Sequence, residues 1–342
     1  VNDTFIKTCK GEKTNYTPVW IMRQAGRYLP QYKKVRNTVD FLTLCKTPEL
    51  AAEVTLQPVD ILGVDAAILF SDILIPVEAM GIELEFSDKI GPVINNPVRD
   101  MDAAKELKVI NPKEDVPFVI ETIKILTKEL NKKAPLIGFA GAPFTILTYI
   151  VEGGSSKNFL ITKKLIYQEP ALFNIIMDKI TQSMLSYLTA QIEAGADAVQ
   201  LFDTWAGVLC PCDYKNMALP YVNRIVSALK KLNVPIIYFV NNCAGILDEA
   251  VSAGSDVIGI DWRIDLDKAL KSIPNEMAVQ GNLDPCVLFS SKDHIRKEVS
   301  NILKNAQNSK GHIFNLGHGI LPETPVDNVK YLVNTVHELG VK

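Results

Sequence analysis

Residues 197–204 read DAVQLFDT, an apolar run broken only by Gln200 that stops abruptly at Asp203 and Thr204. It shows no alternation of polar and apolar positions. A strand of this kind is covered on both faces, as in a parallel sheet. Upstream, 171–194 is a long amphipathic segment ending at Gly195. Downstream, 219–232 has the same helical spacing and stops before Asn233, and VPIIYFV (234–240) repeats the strand and ends in Asn241 and Asn242. Strand, helix, strand at this spacing is a βαβ unit.

The unit recurs in both directions. Short apolar runs lie at 19–22, 66–70, 135–140, 197–202, 234–240, 257–260, 277–280 and 312–316. Helical periodicity fills 117–130, with Asp115 as the expected cap and Pro117 in the first turn. A last helix is expected to start from Thr324 as cap, with Pro325 next, and to stop at Gly340. Eight strands alternating with helices predict an α/β fold, a single (β/α)8 barrel of the TIM type spanning 1–342. The segment 77–100 is an insertion after the second strand. Ile82–Phe86 and Val93–Ile94 flank Asp88 and Gly91 there and read as a hairpin.

The chain has 342 residues, 47% hydrophobic and 22% charged, enough apolar material for a large core. A net charge of −3 leaves no global basic field to recruit nucleic acid, so an anionic ligand needs a local cation cluster. No apolar run approaches the roughly eighteen residues of a membrane span. Six scattered cysteines (9, 45, 210, 212, 243, 286) read as reduced thiols. The chain opens Val1-Asn2-Asp3 without methionine, which fits a trimmed targeting peptide or a shortened chain and leaves both open.

A barrel carries its chemistry at the C-terminal ends of its strands. Here those ends are Arg23, Asp72, Gly141, Thr204, Asn242, Asp261, Asn282 and His318. Asp261, Asn282 and Asp284 read as turn formers and caps. Asp72, in ILFSDILIP, has apolar neighbours on both sides, so it is either paired with an arginine or holds a ligand. The stretch PVWIMRQAGRYLP (18–30) sets Arg23 and Arg27 four residues apart, and Arg36 follows. If the chain turns helical after Met22, the two guanidiniums share a face and form an anion clamp; otherwise they are surface arginines in a loop. In NLGHG, glycines on both sides of His318 read as a sharp turn exposing the imidazole. His294, His312 and His337 receive no role. Cys210, Cys212, Cys243 and His318 match no zinc spacing, and the cysteines read as core, so no metal is expected. The Gly153-Gly154 turn lacks the lysine and serine of a phosphate loop.

PVWIMRQAGRYLP, AAILFSDILIP, LIGFAGAPFTILTYIVEGG, LFDTWAG, QGNLDP and NLGHG occur in this order. Together they closely resemble the uroporphyrinogen decarboxylase family of haem biosynthesis, over about Pro18 to His337. The resemblance implies a (β/α)8 barrel, usually a homodimer, that converts the four acetate side chains of uroporphyrinogen III to methyls without cofactor, releasing CO2 and coproporphyrinogen III. It implies Asp72 and Arg23 as catalytic residues. It implies substrate binding by Arg23, Gln24, Ala25, Gly26, Arg27, Arg36, Asp72, Phe139, Tyr149, Thr204 and His318. Phe139 resembles part of a hydrophobic floor, and Thr204 stands where the family usually has serine. Trp205 is similar to the bacterial and plastid form, and Asn241-Asn242 departs from a segment more often lysine- or glycine-rich. The compartment implied is the cytoplasm, or a plastid-type organelle if a targeting peptide was removed. Two other readings are a zinc-dependent corrinoid- or folate-linked methyltransferase on the same barrel and a non-catalytic tetrapyrrole-binding protein.

Overall fold

The computed structural model describes residues 2–26, 28–87 and 90–342. Its strands are β1 (Ala67–Ile68), β2 (Leu84–Ser87), β3 (Gly91–Ile94), β4 (Leu136–Gly141), β5 (Ala198–Asp203), β6 (Ile236–Val240), β7 (Val257–Ile260), β8 (Ala278–Gln280) and β9 (His312–Ile313). Seven of them form one parallel sheet in the order β1-β4-β5-β6-β7-β8-β9. Every residue of β4, β6, β7 and β8 is buried, as a sheet covered on both faces requires.

The first expected strand, 19–22, takes a different form. Only a bridge forms, Val19 beside Phe314, yet this segment seals the sheet. Trp20 N–H donates to the Phe314 carbonyl (3.3 Å) and Phe314 N–H to Pro18 (2.8 Å), while Asp65 N–H donates to Val19 (2.8 Å). The segment is therefore the eighth stave, bonded to the chain entering β1 on one side and leaving β9 on the other. Inside the barrel, Trp20 Nε1 donates to Gln280 Oε1 (2.9 Å) and Gln280 Nε2 to Gln200 Oε1 (3.2 Å). At the strands' N-terminal end, buried Asp65 accepts Val19 N–H (2.8 Å), Tyr16 Oη–H (2.8 Å) and Asn2 Nδ2 (3.0 Å), and pairs with His337 Nε2 at 2.7 Å. His337, given no role from sequence, thus ties the last helix to the barrel base.

Three helices run Pro117–Leu130, Pro170–Ala194 and Leu219–Leu229, the last followed by a 3-10 turn at Lys230–Leu232. Asp115 does not cap the first. It closes the short helix Pro112–Asp115 and accepts the Asn111 N–H (2.7 Å), leaving Val116 at the cap. Thr324 does not cap the last helix, Val326–Leu339, because its hydroxyl donates to Leu321 in the preceding turn (2.8 Å). In the insertion, β2 and β3 pair antiparallel, Leu84 opposite Ile94 and Ser87 opposite Gly91; Asp88 lies outside the described residues. Val93 also bridges Gly154, and Ile94 N–H donates to Gly153 (3.0 Å), so the Gly153-Gly154 turn is covered by β3.

Candidate active site

The segment after the sealing stave folds as two tight turns rather than a helix. Gln24 N–H donates to Ile21 (2.8 Å) and Gly26 N–H to Arg23 (2.7 Å), with Arg23 at φ 61°. The cause is Gln24. Its Oε1 accepts Ile21 N–H (3.0 Å) and its Nε2 donates to Ala66 (2.9 Å), which fixes the loop to the entrance of β1. Gln24 is fully buried and Ala25 nearly so. Gln24 and Ala25, expected to touch substrate, therefore turn their side chains into the protein, and Arg23 is the exposed side chain among the described residues of this loop. Gly26 is half-buried, and Arg27 lies outside the described residues.

Arg23 lies across Gly319. A Cβ at that glycine would fall 2.6 Å from Arg23 Cδ, and a Cβ at Gly317 would fall 2.5 Å from the Trp262 backbone nitrogen. The glycines around His318 are thus there for close approach, not for a sharp turn; neither has a positive φ. Burial, reinforced by the Arg23 and Arg263 cations and opposed by Asp261, pushes His318 down to about 4. At neutral pH it is an uncharged imidazole.

Asp72 follows β1 and is half-buried; its Oδ1 accepts Leu74 N–H (2.9 Å) at the start of the helix Ile75–Ala79. Its field reaches Tyr149 on the helix Pro143–Glu152. The Tyr149 phenol is raised mainly by burial, lowered by a hydrogen bond to Trp205, raised by Asp72 and lowered by Arg23. Tyr149 thus sits in the joint field of the carboxylate and the guanidinium, and Arg23 in turn acts on His318. Arg23 packs on Gly319 beside His318, and Tyr149 meets the Trp205 ring at 6.2 Å between centroids.

An aromatic row crosses the sheet near the C-terminal ends of β4, β5 and β6. Phe139 meets Phe202 edge-on at 5.6 Å between ring centroids, Phe202 meets Phe239 at 6.1 Å, and Phe239 meets His318 at 6.3 Å. Sequence reasoning named Phe139 and missed Phe202 and Phe239. The usable signal was parity with Gln200, but the register that places Phe202 beside Phe239 comes only from the sheet.

Thr204 is half-buried, and its carbonyl accepts Asn241 Nδ2 at 3.4 Å. Its loop is held from beneath. Buried Asp203 accepts Thr145 Oγ1 (2.7 Å) and Tyr238 Oη (2.7 Å), Tyr238 meets Tyr214 Oη (2.8 Å), and Trp205 N–H donates to Thr145 Oγ1 (3.1 Å). Burial raises the Asp203 carboxyl to about 6, against the pull of its hydroxyl donors. Arg36 donates from Nη1 to Val39 (2.7 Å) and, with Phe41 and Phe86, lines an open cavity of about 550 Å³.

Asp261 accepts Cys243 N–H (3.0 Å) and Arg263 N–H (2.7 Å) and lies 3.4 Å from the Arg263 guanidinium, and Asn282 Nδ2 bonds Asp261 and Ile264 carbonyls (2.9 and 2.8 Å). Asp284 caps Cys286 N–H (2.9 Å). Cys243 is core, but Cys210 and Cys212 are exposed because they flank Pro211 at a surface helix start, and Cys286 is exposed too.

A sequence profile of the family described as uroporphyrinogen decarboxylase matches residues 1–339. The chain is 55% identical over 342 residues to the uroporphyrinogen decarboxylase of Desulfotalea psychrophila, covering all of both chains. It is 55% identical over 340 residues to that of Carboxydothermus hydrogenoformans, covering 99% of this chain and 97% of the relative. In shape it is similar to a methyltransferase from Methanosarcina mazei, with a TM-score of 0.83, 21% identity and 98% of each chain covered. It also resembles a putative vitamin-B12-independent methionine synthase from Listeria monocytogenes, with a TM-score of 0.60, 12% identity, and 96% and 97% covered. These two show the barrel fold alone. With the profile running nearly end to end and full-length relatives at this identity, the chain belongs to the uroporphyrinogen decarboxylase family.

Proposed function

We propose that the chain is a carboxy-lyase that decarboxylates the acetate side chains of uroporphyrinogen III to methyls, giving coproporphyrinogen III and CO2. The observation that carries the site assignment is that Arg23 packs on Gly319 beside His318 while Asp72 and Arg23 both act on Tyr149, at strand ends backed by a row of aromatic rings. Loss of CO2 from an acetate on a pyrrole needs an electron sink. Protonation of the ring carbon adjacent to the one bearing the acetate makes an iminium-like cation. The bond to the carboxylate then breaks, its electron pair enters the ring as CO2 leaves, and the exocyclic methylene takes a proton to become the methyl while the ring carbon gives one up. Net, a proton replaces CO2.

A fixed carboxylate beside the pyrrole N–H groups stabilises that cation in a water-poor site. One such pair at ~4 Å is worth about 4 kcal/mol at an effective dielectric near 20. Asp72 takes this role. Arg23, with Arg27 and Arg36, grips substrate carboxylates; at a pKa of roughly 12.5 or more a guanidinium is a poor proton donor near neutrality. Phe139 gives an apolar floor, Tyr149 and Thr204 offer hydroxyls, and neutral His318 offers a ring nitrogen to a propionate. A cytoplasmic homodimer working without cofactor belongs to the same reading and rests on the family resemblance.

The test is anaerobic incubation with reduced uroporphyrinogen and chromatography of the oxidised products. Stepwise loss of carboxylates to the four-carboxylate porphyrin is expected; recovery of the eight-carboxylate porphyrin alone overturns the reading.

A further inference from the structure

Arg263 stands at the C-terminal end of β7, two residues after Asp261, with 41% of its side chain exposed. Its guanidinium stacks on the Trp262 ring, 4.1 Å from the centroid. Nη1 donates to Asn241 Oδ1 at 3.2 Å and lies 3.4 Å from Asp261 Oδ1. Asn241 in turn donates from Nδ2 to the Thr204 carbonyl. The backbone beneath is equally fixed, because Asp261 accepts the Arg263 N–H and Gly317 packs against Trp262.

Such a side chain is costly to hold still without a reason. A long exposed arginine loses rotamer freedom, and an exposed ion pair returns little. This one is held on three sides, by an indole face, an amide oxygen and a carboxylate. A guanidinium offers five N–H donors in a rigid fork, and the contacts described here run through Nη1. The remaining edge is preorganised for an oxygen anion, and binding there avoids the ordering cost that a mobile arginine would incur. The charge also reaches His318, which Arg23 influences as well.

We infer that Arg263 is a further substrate-carboxylate subsite at the β7 sector of the mouth, with Asn241 as its positioning residue. The inference rests on the proposed decarboxylase reading and deepens it: the ligand is one of the carboxylate side chains of the tetrapyrrole. Asn241 thereby acquires a function without touching substrate, joining the β5 loop that bears Thr204 to the β7 cation.

Steady-state kinetics with uroporphyrinogen test it. Arg263→Met is expected to raise KM about tenfold with a much smaller change in kcat, the loss of one charge-assisted contact made in ground and transition states alike. Arg263→Lys keeps the charge but loses the stacked fork, and is expected to give a KM between those of wild type and Arg263→Met. Asn241→Ala is expected to raise KM about threefold, and to add little in the Arg263→Met background because the two act through one contact. Lys268→Met removes an exposed cation, paired with Asp265, from the same stretch and is the charge control. A wild-type KM in Arg263→Met, or an equal rise in Lys268→Met, overturns the subsite. If wild type yields no decarboxylated product, the decarboxylase reading fails instead. Fluorescence titration with uroporphyrin then decides the subsite separately: weaker binding to Arg263→Met supports it, and equal binding overturns it.

Discussion

Thr145 Oγ1 donates to Asp203 Oδ1 at 2.7 Å and accepts the Trp205 N–H at 3.1 Å, so one hydroxyl joins a buried carboxylate to the loop after β5. Thr145 and Tyr149 lie four apart on one helix, on the same face. Trp205 meets both, through its amide and through its side chain. Replacing Thr145 by valine keeps the shape and strands both partners. We expect a loss of about 1–3 kcal/mol in urea unfolding, the cost of leaving buried polar groups unpaired.

Asp203 gives a pH prediction with a definite sign. Its folded value of about 6 lies above the ordinary 3.8. Its contribution to stability is therefore fully present below 3.8 and is lost as pH rises through 6. Unfolding curves between pH 4 and 7 should show Asp203→Asn without this component, so that the variant loses more stability than wild type on acidification.

His312 acts in the opposite direction. It is buried, its Nε2 lies 2.8 Å from the Gly281 carbonyl, and burial pushes it down to about 4. The unfolded chain binds the extra proton between 4 and 6.5, so stability falls as pH drops through that window. From pH 7 to 5 this amounts to about 2 kcal/mol. His312→Gln should lessen the acid sensitivity by about that much in the same urea series.

Gly319 gives a test at the mouth. Its φ is ordinary, so alanine fits the backbone, but the new Cβ would displace the Arg23 side chain. We expect Gly319→Ala to fold with near-wild-type stability and to raise KM for uroporphyrinogen roughly tenfold, as loss of one charge-assisted carboxylate contact would. An unchanged KM would remove Arg23 from substrate binding.

Asp72→Asn preserves size and removes the charge. If the carboxylate stabilises the cation formed during decarboxylation, kcat should fall by about 10²–10³ while KM moves little. Single-turnover product analysis under anaerobic conditions checks it.

The βα period was readable because strands buried on both faces leave unbroken apolar runs, and seven of the eight expected runs contain strands of the sheet. The eighth, around Val19, was legible as apolar but not as a single bridge, because a stave that closes a barrel is defined by partners 46 and about 295 residues away. Asp72, Arg23 and His318 stood out as polar groups at the ends of apolar runs. Gln24 reads like its neighbours in sequence, and only its bonds to Ile21 and Ala66 turn it inward. Phe202, Phe239 and Arg263 were hidden for a related reason: their roles depend on register and on contacts between strand-end loops.

The stave that seals the barrel is continuous with the loop that presents Arg23, and Gln24 fastens that loop to the chain entering β1. Prising the seam apart would therefore also disarm the mouth. Damage at Trp20, Gln24 or Asn315, whose side chain receives the Met22 N–H, should register as lost turnover at denaturant concentrations too low to unfold the rest of the molecule.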